Sequence, residues 1–121
     1  MPDQLEPNAG TAQTVQARIH EVARLLRDSQ SVSPQVQAAL AELLDEMSAT
    51  LKESKAPPAE VTHLAESAAH LARALHERHD EGLVARAGER LRLAMLQAEE
   101  DAPTAVGLAR RVIDALASIG I

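Results

Sequence analysis

No aromatic ring and no thiol occurs in these 121 residues, since Phe, Tyr, Trp and Cys are all absent. The missing rings exclude base-stacking platforms, aromatic cages for cations and the rigid aromatic anchors that dominate many interfaces. The missing thiols remove disulfides, thiolate metal sites and cysteine nucleophiles. Positive charge is scarce too: 12 Lys and Arg against 18 Asp and Glu leave a net charge of −6, the wrong sign for broad electrostatic binding to nucleic acid or anionic lipid. No run approaches the ~18 apolar residues of a membrane span, and Met1-Pro-Asp-Gln-Leu-Glu-Pro-Asn-Ala-Gly10 lacks the basic start and apolar run of a signal peptide. These absences predict a cytoplasmic protein with no nucleic-acid or membrane partner.

The chain has 24 Ala and 16 Leu, and Leu, Ile and Val together make 28 residues, enough for a modest core within one domain. Such a core is built from aliphatic side chains and close approach of helices over small residues, a mix that helix propensity favours.

The last nineteen residues, Pro103 to Ile121, form the most complete local pattern. Pro103 suits a first helical turn, where its missing N–H costs nothing, and Asp101 is placed to cap the start. Val106, Ala109, Ile113, Leu116 and Ala117 recur at helical spacing and predict one apolar face. Gly120 fits a left-handed C-terminal cap, with Ile121 folding back toward Leu116. Ending on a cap needs no functional explanation, although a free terminal carboxylate is also a group that backbone nests recognise.

Read from the start, residues 1–10 carry little to bury and are expected to form a disordered arm, with a single helical domain over 11–121. From Thr11 or Thr14, Val15, Ile19, Val22, Ala23 and Leu26 follow helical spacing to about Arg27, and Asp28-Ser-Gln-Ser31 breaks it. Ser33-Pro34 opens a second helix whose Val36, Leu40, Leu43, Met47 and Leu51 make a near-heptad, coiled-coil-like seam. Its Glu42, Asp45 and Glu46 read as a solvated acidic face. Pro57-Pro58 separates it from a third helix starting near Ala59, with Val61, Leu64, Ala65, Ala68, Leu71, Ala72 and Leu75 on a wide apolar face. The polar stretch 76–82 fits either a turn or continuing helix. Leu83 to Glu99 then places Val84, Ala87, Leu91, Ala94, Met95 and Ala98 on one side and Leu93 with Leu96 on another, which predicts contacts with two neighbours. The fold class is all-α: four to five helices in a small bundle or extended helical hairpin, without β-sheet.

The five histidines are the only candidate metal or acid–base groups of note. His63, Glu66 and His70 fall within about 60° of one another on a helix, opposite the apolar face and therefore exposed. Such a stripe can hold zinc or nickel weakly, yet it lacks a fourth ligand and a second shell, so a solvated face is the preferred reading. His76, His79 and Asp80 form a second cluster, in which a partly buried histidine is the simpler account. No cofactor is expected. A Gly-rich phosphate loop, a nucleophile elbow and a His-Glu-x-x-His motif are all missing, and no catalytic role finds a residue, so an enzyme is not expected. Arg86, Arg90, Arg92, Arg110 and Arg111 could form a patch for an acidic partner, including the acidic second helix of another copy. A helix-turn-helix reading of 83–119 is weakened by Glu89, Glu99, Glu100, Asp101 and Asp114, which offset those arginines.

The junction Ala98-Glu-Glu-Asp-Ala-Pro103 and the ending Asp114-Ala-Leu-Ala-Ser-Ile-Gly-Ile121 carry a resemblance. They are similar to a bacterial family of short helical proteins known as domain of unknown function forty-four hundred and four. In that family the junction reads Phe-Glu-x-x-His-Pro and the last helix ends Ala-Leu-Ala-x-Ile/Met-Gly-Ile. Glu99, Pro103 and the final residues match, whereas Ala98 stands in place of the Phe and Ala102 in place of the His, so any role of that ring or imidazole is absent here. The resemblance covers about 35 residues well and Ser33–Leu51 loosely, and makes 59–80 an additional helix. It implies a small helical bacterial protein and supplies no activity. Together these readings predict a non-enzymatic interaction or self-assembly module with a second copy (a homo-oligomer, in the simplest case a dimer) or another protein as partner. Weak metal binding through surface histidines and association with nucleic acid are the alternatives.

Overall fold

In the computed structural model the backbone is described for residues 7–29, 32–53, 57–77 and 81–120, with side chains from Gln13 onward except Glu81. Five helices account for nearly all of it: α1 (Pro7–Asp28), α2 (Pro34–Glu53), α3 (Ala59–Glu77), α4 (Glu81–Ala98) and α5 (Pro103–Ser118). No strand occurs among the described residues.

Each boundary has a local cause. α1 opens at Pro7, ahead of Thr11, so part of the stretch expected to be an arm is helical backbone; a proline in the first turn forfeits no hydrogen bond. Residues 1–6 lie outside the described residues. α1 stops at Asp28, where Gln37 of α2 donates its side-chain amide to the terminal carbonyls of Leu26 and Arg27 and so satisfies acceptors that the helix end leaves open. α2 begins at Pro34, with the Ser33 carbonyl accepting from Gln37 N–H at 2.8 Å. α3 begins beyond the paired prolines, its first bonds running to the Pro58 carbonyl. α3 ends at Glu77 and α4 begins at Glu81, and positions 78–80, where the sequence fits either a turn or continuing helix, lie outside the described residues.

At α5 one expectation is corrected: the N-cap is Ala102, with no side-chain cap, and Asp101 stands exposed in the turn before it. The turn is closed by backbone alone, because the Ala98 carbonyl takes both the Asp101 and Ala102 N–H groups. At the other end Gly120 has φ +89°, the left-handed value that favours glycine, and its N–H reaches the Ala117 carbonyl at 3.1 Å. Ile121 lies outside the described residues.

The helices pack as a closed cycle, α1 to α2 to α5 to α4 to α3 and back to α1, with α2 and α3 also touching across it. Contacts fix the directions. His20 meets Ser48 and Leu26 meets Gln37, so α1 and α2 run antiparallel, whereas Arg18 to Glu66 and Glu21 to Arg73 set α1 parallel to α3. Arg111 meets Glu42 while Ala115 lies with the earlier Ala38 and Ala39. Val84 and Gly88 lie with Leu116 where Met95 and Glu99 lie with Arg110, so α5 runs opposite to both α2 and α4. The result is a small bundle rather than an extended hairpin. Its interior is almost wholly apolar, with Ile19, Leu26, Leu40, Leu43, Leu44, Met47, Leu64, Leu71 and Leu91 fully enclosed, alanines among them and Ser67 as a fully buried polar residue.

Two helix faces differ from the sequence pattern. On α5 the buried set is Ala105, Val106, Ala109, Val112, Ala115 and Leu116; Ile113 is half-buried and Ala117 exposed. α5 lies between α2 and α4, and its inner face turns toward α2 through Val112 and Ala115. On α2 Leu44 is as buried as Leu43, because α2 touches α1, α3 and α5 rather than one partner along a single seam.

Candidate functional site

The histidine candidates separate when placed on the fold. On α3, His70 is exposed while His63 and Glu66 are half-buried, in place of the fully exposed stripe expected, because α1 runs alongside. The Glu66 carboxylate is 4.0 Å from the Arg18 guanidinium of α1. His76 is half-buried at the end of α3, and its Nδ1 is buried without a hydrogen-bond partner. His79 and Asp80 lie outside the described residues. Among the described residues no three His, Asp or Glu side chains are placed to hold a metal ion. One histidine that the metal reading left aside, His20, faces Ser48 Oγ at 2.9 Å over a furrow rimmed by Arg24, Arg27, Lys52 and Asp45. Its signal, cations on two consecutive helices, becomes visible only once α1 and α2 are known to be adjacent.

The arginine candidates divide as well. Arg111 binds Glu42 of α2 at 3.2 Å, so the acidic second helix meets its complement inside the chain. Both groups are largely exposed, which makes this pair worth little. Arg86 and Arg90 are exposed on α4, whereas Arg92 and Arg110 come together along the seam between α4 and α5.

That seam carries a second surface feature, smaller than the furrow of about 580 Å³ between α1 and α2 but more apolar at one end. Two clefts of about 210 and 290 Å³ lie along it and share Arg92 and Ile113, so they form one furrow from Val84 and Leu116 at one end to Met95 and Arg110 at the other. Gly88 helps to open the first: a Cβ there would meet Leu116 Cδ1 at 3.5 Å, an ordinary contact, so the glycine leaves room that another side chain would fill. Of the exposed large apolar side chains, Leu96 at 68% lines the furrow, whereas Leu93 at 54% lies farther round α4, Leu83 at 48% lies about 180° from Arg92, and Ile119 at 42% follows α5. This corrects the expectation that Leu93 and Leu96 meet a second neighbour. α4 does touch α3 and α5, but through Val84, Ala87, Gly88, Leu91, Ala94, Met95 and Ala98. At ~100° per residue Leu93 lies about 200° from Leu91, so one helix cannot turn both inward.

Fold and surface together define an all-α bundle with a polar furrow between α1 and α2 and a more apolar one of mixed charge between α4 and α5. No helix among the described residues is long and apolar enough to cross a membrane. The chain belongs to the family Domain of unknown function (DUF4404), whose model matches residues 40–121. The matched span contains the helix α3 that the resemblance sets apart as additional, together with α4 and α5; it begins within α2 and leaves α1 outside. No curated protein and no solved structure matches the chain.

Proposed function

We propose that this protein is a non-enzymatic interaction module that associates with a second copy of itself. The observation that carries this reading is the outer side of α4, where Leu93 and Leu96 are both exposed. Single exposed leucines are ordinary on a protein surface, but these two lie one turn apart and about 60° from each other, so they make a joint apolar surface of the kind that marks an interaction site. Most of the other Leu, Val, Ile and Met side chains of the five helices belong to one core, so these leucines are not a by-product of a poorly formed interior. The two-sided pattern of α4 makes sense if the second side is for another molecule.

Size-exclusion chromatography with light scattering tests the reading, with refractive-index detection because a chain without Trp or Tyr hardly absorbs at 280 nm. A dimer that dissociates on dilution is the expected result. A monomer at every concentration would overturn it.

A further inference from the structure

We infer that the second copy docks on the α4–α5 furrow about a two-fold axis passing close to Met95 and Leu96. The inference rests on the self-association reading and adds to it a surface and a register. Arg92, Met95, Leu96 and Glu99 follow one another at three, four and seven residues, so they form a single stripe along the furrow side of α4. Its exposed groups read cation, apolar, anion, with Met95 buried beneath Leu96. Its ends are about 10 Å apart at 1.5 Å per residue.

A two-fold axis through the middle of that stripe turns the second α4 end for end. Arg92 of each copy then lies opposite Glu99 of the other, and Leu96 meets Leu96 of the other copy across the axis, with the buried Met95 beneath it. Such a patch is complementary to itself, which is what an isologous interface requires. On α5, Arg110 and Asp114 line the same end of the furrow and offer a second exchange of opposite charges.

Two further observations favour a second copy over a partner of one dominant charge. The furrow carries both signs, Arg92 and Arg110 with Glu89, Glu99 and Asp114, so neither a basic nor an acidic partner would find its complement along the whole length. None of these side chains has an ion pair or hydrogen bond among the described residues, although Arg110 and Asp114 are four apart on one helix. Their charges are free to be met from outside. Ile113, half-buried at the point shared by both clefts, supplies an apolar floor beneath them.

Charge exchange tests the register. One variant carries Arg92→Glu with Arg110→Glu, and the other Glu99→Arg with Asp114→Arg. All four positions are exposed, and circular dichroism checks that each variant keeps its helices. Alone, each variant sets like charges opposite one another and should associate about tenfold more weakly than the native chain, or worse. Mixed, the two should form a one-to-one dimer, seen by native mass spectrometry, with affinity restored toward the native value. A native dimer that both variants retain when alone, or a mixture that stays monomeric, overturns this surface while leaving self-association intact. A native chain that is monomeric overturns both readings.

Discussion

α3 and α4 are neighbours of nearly equal length, yet they treat their apolar residues in opposite ways. α3 hides every Val and Leu it has, with Val61, Leu64, Leu71 and Leu75 all buried. α4 hides Leu91 and leaves Leu83, Leu93 and Leu96 exposed. Neither composition nor helix propensity separates them. The difference lies in phase: the apolar residues of α3 fall on one broad arc that α1, α2 and α4 cover between them, whereas those of α4 fall on two sides and only α3 and α5 are present to cover them. Within one protein, a helix can thus be read as serving the interior or as dividing its service between interior and surface.

Matched substitutions should break the symmetry between the two. Leu71→Ala in α3 should cost about 2–5 kcal/mol, since it deletes a fully enclosed side chain and leaves a cavity that the helices close only in part; chemical denaturation followed by circular dichroism measures it. Ser67→Ala should act in the other direction. The Ser67 hydroxyl is fully buried without a hydrogen-bond partner, so its removal should raise stability by about 1 kcal/mol and the melting temperature with it. Leu96→Ala in α4 should change the unfolding free energy of dilute protein by less than about 0.5 kcal/mol, because that side chain is already in water. Its effect belongs in the association constant. Equal losses of stability at Leu71 and Leu96 would show that the contrast between the two helices is mistaken.

The number of helices, most of their boundaries and most of the core were legible in the sequence, because prolines at 34, 58 and 103 punctuate it and the apolar spacing between them is regular. Face directions were less so. The pattern on α5 points to Ile113 and Ala117, but a helix wedged between two neighbours buries whatever points between them, here Val112 and Ala115. Leu44 was missed for the same reason: a single seam was drawn for α2, which has three partners. Asp101 looked like a cap, yet two backbone bonds to the Ala98 carbonyl already close that turn. The furrow itself was only half visible. The spacing sets Leu93 and Leu96 on a second side of α4, but that Leu96 lines a cleft with Arg92, Arg110, Glu99 and Asp114 depends on which helix lies next to α4, and local periodicity carries no information about that.

The pairing of α2 with α5 joins parts of the chain far apart in sequence, and its ion pair spans 69 positions. It is also the contact that closes the cycle of helices. Bringing the two ends of so long a segment together carries a chain-entropy cost that is met before the seam returns any stabilisation. Helices α1 to α4 can find one another stepwise through short connections, whereas α5 must return to a helix formed much earlier. The final step of folding should therefore be the arrival of α5 on α2, and until then the α2 surface destined for α5 is uncovered. A chain still being synthesised passes through that stage, with the α2 side that packs on α5 open to water until α5 has emerged.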